Sequence, residues 1–93
     1  MHGGIEQPGL IDDLRIYPNP GKGNFNIEMN ITQKQYAEIK IFNNQGKEIT
    51  RKELKGFSGP YVASFDLKEY PPGIYHLQIS IDERKIIKKI IIE

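Results

Sequence analysis

The sequence contains no cysteine and no tryptophan, and it contains only two histidines. Without cysteine the chain has no disulfide, no thiolate nucleophile and no cysteine-ligated zinc. Neither His2 nor His76 lies in a recognisable nucleophile motif with serine or threonine, and no glycine-rich loop has the spacing that binds phosphate. The sequence therefore predicts a non-catalytic protein without a cofactor, a metal or a small-molecule substrate.

Neither positive nor negative charge is in large excess. Thirteen basic side chains stand against twelve acidic ones, for a formal net charge of +1, so the broad basic patch of a nucleic-acid-binding protein is not expected. The acidic residues occur in short groups without the spacing of a calcium loop. No apolar run approaches the roughly 18 residues of a membrane helix, and the richest one, residues 86–92, is interrupted by Lys88 and Lys89.

With 93 residues the chain is long enough for one domain that buries somewhat over ~60% of its unfolded surface. Residues 1–13 are interpreted as a leader and linker that precede a folded domain over residues 14–93. The start, Met1-His2-Gly3-Gly4, lacks the charged and apolar blocks of a signal peptide and is typical of a cloning remnant, so any export signal is expected upstream. Pro8, Gly9, Asp12 and Asp13 fit an inter-domain linker.

A rigid corner opens the folded domain at Tyr17-Pro18-Asn19-Pro20. The residue before each proline is pushed away from helical geometry, and neither proline has an N–H for a sheet ladder. Gly23 and the glycine before it allow the chain to reverse. We expect the corner to end a first strand and to be structural.

Alternation of apolar and polar residues predicts about seven short strands. They are expected at residues 14–16, 24–30, 37–42, 47–54, 61–67, 74–81 and 85–92. Asn43 to Gly46 has the composition of a hairpin turn. The charged stretch 47–54 is expected to be an edge strand, protected from mispairing by its lysines and glutamates.

Seven short strands without a convincing helix predict an all-β fold, an antiparallel immunoglobulin-like β-sandwich. Tyr75, which leads the best strand pattern, resembles the tyrosine that locks the corner of such sandwiches; ordinary core packing is the alternative. Tyr36, Phe42, Phe57 and Tyr70 are not assigned to the core face. They leave open a carbohydrate-binding or adhesive module, as well as a passive spacer between domains.

The C-terminal residues 84–93 combine isoleucines with paired lysines. Taken alone they are a closing β-strand, in which isoleucine favours extended structure and lysine opposes aggregation at the edge. Such a strand also offers a partner a surface for strand addition.

Several motifs follow one another in a definite order along the chain. They are Tyr17-Pro18-Asn19-Pro20 with Gly23 and Phe25, Ile39-Lys40-Ile41-Phe42-Asn43 to Gly46, Leu67, Gly73-Ile74-Tyr75 and the lysine-rich end. The series resembles the type A C-terminal sorting domain of the type IX (Por) secretion system over about residues 14–93. Asn43-Asn44 departs from the aspartate of many relatives, and we expect the turn to stay intact.

The resemblance implies a signal module of immunoglobulin type at the C-terminus of a larger secreted protein of Gram-negative bacteria. The precursor would pass through the periplasm, and an outer-membrane translocon would recognise the domain. A sortase-like protease would then remove it, leaving the upstream cargo released or attached to lipopolysaccharide at the cell surface.

Carried onto this sequence, the resemblance assigns recognition to two segments near the end of the chain. Their residues are Gly73, Ile74, Tyr75, Lys85, Lys88, Lys89, Ile90, Ile91, Ile92 and Glu93. Processing is expected in the linker around Pro8 to Asp13, and the Tyr17 to Pro20 corner with Gly23 keeps a structural role.

Overall fold

The computed structural model describes residues 11–81 and 83–93. Its described residues form five β-strands: β1 (Ile11–Tyr17), β2 (Asn24–Phe42), β3 (Glu48–Asp66), β4 (Gly73–Ile81) and β5 (Arg84–Ile92). Every strand pairing is antiparallel, so the predicted all-β antiparallel class is confirmed. No helix capable of crossing a membrane occurs in this part of the chain.

The strand count differs from the expected seven, because two pairs of predicted strands are each one continuous strand. The strands predicted at 24–30 and 37–42 lie in β2, and those predicted near 47–54 and 61–67 map onto β3. The polar residues between them stay extended because β2 and β3 remain paired there, with Ile31 opposite Gly59 and Gln35 opposite Phe57. Register shifts on both sides of Gln35 are irregularities of the kind that bend a strand pair.

The long strand β2 holds the curled sheet together. The path of paired strands runs β1-β2-β4-β5, and β3 pairs with β2 along its other side. β1 pairs with the first half of β2, from Ile31 to Asn26, and β4 pairs with its second half, from Ala37 to Phe42. As a result β1, β3 and β5 are all edge strands, and the edge position predicted for the stretch 47–54 is confirmed.

The core lies on the inward face of these strands. Alternate residues point inward, and the buried apolar cluster collects them from every strand but β1: Phe25, Ile27, Met29, Ile31, Ala37, Ile39, Ile41, Leu54, Ala63, Phe65, Leu67, Tyr75, Leu77, Ile79, Ile81, Ile90 and Ile92. β1 contributes partly buried side chains packed against this cluster. One continuous core therefore holds both ends of the described chain in a single domain.

Two local predictions can be compared with the structure directly. At the predicted hairpin, the Asn43 side-chain oxygen accepts hydrogen bonds from the amides of Gln45 and Lys47, each 2.9 Å long, and Gly46 has φ 84°, which confirms the turn. β1 begins at Ile11, earlier than the expected start of the folded domain at Leu14, and the pairing of β1 with β2 shifts register between Asp12 and Arg15. The division of the chain at residue 13 stays a prediction.

Candidate interaction site at the terminal strand

The two segments assigned to recognition are neighbouring strands. β4 and β5 pair in uninterrupted register, so that Gly73 lies opposite Ile92, Ile74 opposite Ile91 and Tyr75 opposite Ile90. The Tyr75 hydroxyl donates a hydrogen bond of 2.5 Å to the backbone carbonyl of Pro71. This bond four residues upstream is the one expected of a corner tyrosine, and the ring is also buried in the core, so the contacts of both alternatives for Tyr75 are present.

The isoleucines of β5 divide between the two faces of the strand. Ile90 and Ile92 point inward and are buried, being 1% and 4% exposed, whereas Ile87 and Ile91 point outward and are 60% and 37% exposed. A strand with one face in water normally alternates apolar inside and polar outside. The exposed Ile87 departs from this rule and leaves apolar surface on the outer side of β5.

The basic residues of β5 are exposed and have no acidic partner among the residues that the structure describes. The strand carries Arg84, Lys85, Lys88 and Lys89, all of them exposed. None of the ion pairs among the described residues includes any of these four side chains. Although the whole chain is nearly neutral, β5 is thus a local concentration of positive charge.

The corner touches β5, a contact that the sequence did not predict. The Asn19 amide nitrogen donates to the carbonyl of Lys89, and the Ile91 amide donates to the Asn19 side-chain oxygen, both at 2.9 Å. Next to them the Gly21 amide donates to the carbonyl of Ile91 at 3.0 Å, and the Glu93 amide donates to the carbonyl of Gly21 at 2.8 Å. The two motifs are separated by about seventy positions, and no local signal reveals the contact.

The rest of the corner is fixed by close packing. The Tyr17 hydroxyl donates a 2.7 Å hydrogen bond to Glu28 on β2, and this bond to a carboxylate raises the pKa of the Tyr17 phenol. A Cβ added to Gly21 would lie 2.8 Å from the carbonyl oxygen of Pro18. Gly23 has φ 118°, and a Cβ there would lie 2.9 Å from the Cα of Lys68. The corner is therefore held against β2, the 67–68 segment and β5.

The residues expected at the processing site are only partly described. Pro8 and Gly9 lie outside the described residues. Asp12 belongs to β1 and pairs with Asn30, and Asp13 adopts φ 56° where the register of that pairing shifts.

Within the described residues, no ring contact joins two of the four aromatic residues that the sequence left unassigned. Tyr36 and Tyr70 are exposed, while Phe42 and Phe57 are half-buried. The ring contacts recorded within residues 11–81 and 83–93 join Phe25 with Phe65 and Phe57 with Tyr61. No observation therefore favours the carbohydrate-binding alternative.

Fold and site together define a small all-β domain with an exposed, basic terminal strand. The family described as secretion system C-terminal sorting domain, the tail of Por secretion, matches residues 15–93. This chain belongs to that family, the C-terminal sorting domains of type IX secretion. No curated protein matches the sequence significantly.

Membership in the family indicates a C-terminal secretion signal joined to an upstream cargo in the same precursor and recognised by the secretion system. It also indicates export to the cell surface or the extracellular space. Domains of this family are generally non-catalytic. Among the described residues, no group of three or more histidine, aspartate or glutamate side chains could hold a metal ion.

Proposed function

We propose that this domain is the signal by which an outer-membrane translocon selects its cargo, and that the translocon reads β5 together with Gly73-Ile74-Tyr75. The observation that carries the proposal is the group of exposed basic residues on β5 that have no ion-pair partner within residues 11–81 and 83–93. Charged side chains at the surface steer the encounter with a partner of opposite charge. The in-register pairing of the two segments lets one partner contact both.

The rest of the proposal follows the route of the precursor. The precursor crosses the periplasm, and a sortase-like protease then cuts before the folded domain, in the stretch from Pro8 to Asp13. Pairing of Asp12 with Asn30 favours a cut on the N-terminal side of β1, because a protease must draw its substrate out of any sheet. Sequencing the N-terminus of the released domain tests this placement, and a cut inside β2 or beyond would contradict it.

The proposal also includes the fold: the curled sheet is an immunoglobulin-like β-sandwich. The two halves of β2 have different neighbours, β1 for the first and β4 for the second, and their inward side chains meet in one core. Two sheet regions facing each other across a shared core are the arrangement of a β-sandwich. An experimental structure with β1 and β5 in a single flat layer would contradict it.

The experiment places the chain behind a signal peptide and a reporter in a bacterium that has the secretion system. Deletion of residues 88–93 should leave the reporter inside the outer membrane. Normal surface export of the reporter by this deletion variant would contradict the proposal that the translocon recognises β5. Because the deletion also removes the buried Ile90 and Ile92, a variant that keeps the core is needed beside it.

That variant replaces Lys85, Lys88 and Lys89 with glutamine. All three side chains are exposed, so the fold should persist while export falls. The matched control replaces Lys47, Lys55 and Lys68, three exposed lysines outside β5, and should be exported normally. Equal loss of export in both triple variants would show that the translocon responds to the overall charge of the domain and does not recognise β5 in particular.

A further inference from the structure

The outer edge of β5 is divided into two parts by the corner. In an antiparallel ladder the backbone groups of alternate residues point towards the partner strand and away from it. The bonds of Lys89, Ile91 and Glu93 to the corner show that the odd-numbered residues point away from β4. The outward groups of the strand therefore belong to Lys85, Ile87, Lys89 and Ile91, followed by Glu93.

The second part of this edge is already occupied. Asn19 binds the Lys89 carbonyl and the Ile91 amide, as the backbone of a neighbouring strand residue would. Gly21 continues this pattern with the Ile91 carbonyl and the Glu93 amide, in an isolated parallel bridge to Ile92. A partner strand cannot pair with these groups while the corner is in place.

The first part of the edge is open. Within the described chain, no residue outside β4 is paired with the stretch of β5 before Lys89, so the outward N–H and C=O groups of Lys85 and Ile87 face solvent. Unpaired edge groups are a template for another strand. The 60% exposed Ile87 side chain adds apolar surface beside them, and the free basic side chains add positive charge.

We propose that Asn19 and Gly21 form a clasp over the end of β5, and that an extended acidic segment of a partner adds to the open edge at Lys85 and Ile87. The inference rests on the proposed function, because it names how the same strand is recognised. Strand addition draws affinity from main-chain hydrogen bonds and specificity from alternate side chains. Here the specificity comes from glutamate or aspartate against Arg84 and Lys88, which share one face of the strand, and from an apolar residue against Ile87 on the other face.

A second copy of β5 is a poorer occupant of this edge. Pairing two such strands would bring their basic residues together, and like charges on adjacent strands destabilise the pair. The side chains of an acidic segment instead attract the basic side chains of the strand. The partner is therefore an extended acidic peptide segment.

The open edge is tested with Ile87→Pro. Proline removes the outward amide of residue 87 without removing a hydrogen bond to β4, and edge strands tolerate proline at such positions. Ile87→Thr is the matched control, because it shortens the side chain but keeps the amide. Protection of the Ile90 and Ile92 amides from hydrogen exchange checks that each variant still pairs β5 with β4.

The probe is a soluble peptide of alternating valine and glutamate, titrated into the 93-residue chain and followed by amide NMR. It should shift the signals of Lys85 and Ile87, and Ile87→Pro should weaken binding at least about tenfold while Ile87→Thr changes it by less than about threefold. A valine–lysine peptide should not bind. Equal binding of the two peptides, equal binding to both variants, or shifts confined to β3 would overturn the open-edge proposal.

The clasp is tested with Asn19→Ala, against Asn24→Ala at an exposed asparagine on β2. Hydrogen exchange of the Ile91 amide should speed up roughly tenfold in Asn19→Ala, since this amide loses its acceptor, and should not change in Asn24→Ala. In the Asn19 variant the acidic peptide should also shift the signals of Lys89 and Ile91. Unchanged exchange at Ile91, or no extension of the peptide contacts, would overturn the clasp.

Export of the reporter distinguishes failure of strand addition at the open edge from failure of the proposed function. If deletion of residues 88–93 and Ile87→Pro both block export while Ile87→Thr does not, the open edge is the part that is read. If the deletion blocks export and Ile87→Pro does not, this inference fails and the proposed function stands. If the deletion is exported normally, the proposed function fails, whatever the peptide does in solution.

Discussion

Two of the edge strands of the sheet, β3 and β5, deal with their exposed edges in opposite ways. On β3, Arg51 donates to Glu48 at 2.7 Å and to Glu38 on β2 at 3.0 Å, so the arginine of this strand is paired locally with carboxylates. β3 is further interrupted by Gly56 and Gly59 at positive φ and by Pro60, features that discourage edge pairing. β5 has an uninterrupted register and basic residues that form no ion pair with the described residues, and the corner protects only the second part of its edge.

This difference suits β3 to resisting unwanted strand pairing and β5 to pairing with a partner. An edge that carries equal numbers of acidic and basic residues and whose register shifts around Phe57 offers a partner neither a net charge nor a ladder that is regular along its whole length. An edge that is regular, basic and half covered offers both over a short length. β3 carries charged residues of both signs and β5 carries only basic ones, so the sign of the charges distinguishes the two strands as well as their pairing.

The largest effect is expected from the inward face of β5. Ile90→Ala should lower the free energy of unfolding by about 3 kcal/mol, because it leaves a cavity in the core. Ile91→Ala, one residue along on the outward face, should lower it by less than about 1 kcal/mol. Chemical denaturation of the two variants measures the difference. Similar losses would mean that β5 is held by its edge contacts more than by the core, contrary to the comparison drawn here.

The corner and β3 provide the next comparison through two glycines at positive φ. Gly23→Ala should cost about 2–4 kcal/mol, because it adds a backbone clash with Lys68 to the strain of a left-handed residue. Gly56→Ala, at φ 65° with nothing within 4 Å of the added Cβ, should cost only the strain, about 1 kcal/mol. Thermal or urea unfolding tests both, and equal losses would remove the special role of the corner.

Local patterns in the sequence predict the faces of the strands and the hairpin turn. Ile39 and Ile41 alternate with polar residues and are buried, and Asn43 to Gly46 carries its own turn chemistry. Two features could not be predicted in this way. Gln35 looks like part of a loop but stays extended because it lies opposite Phe57 on β3, and Asn19 gives no local sign that it binds β5. Both depend on residues distant in the sequence.

The candidate site shows the same limit. The terminal isoleucines and lysines are visible in the sequence, and so is their adjacency to Gly73-Ile74-Tyr75 once both are taken as strands of one hairpin. Which isoleucines are exposed depends on the register of β5 against β4. Which charges are free depends on cross-strand pairs such as Arg51 with Glu38, which only the assembled sheet defines.

The smallest effect expected is on the acid titration of the β3 edge. The hydrogen bond from Arg51 holds the pKa of the Glu48 carboxyl below its ordinary value of 4.5. A carboxyl with a lowered folded-state pKa contributes stability that is present above the unfolded-state pKa and is lost as the pH falls through the folded-state pKa. Arg51→Gln should therefore return the pKa of Glu48 towards 4.5 and flatten the fall in stability below that pH. NMR titration of the Glu48 side chain measures the shift, with Lys55→Gln as the control that removes one β3 charge and leaves the Arg51 contact. An unchanged pKa in Arg51→Gln would mean that the β3 charges are no better paired than those of β5, and the contrast between the two edges would then rest on backbone regularity and the clasp alone.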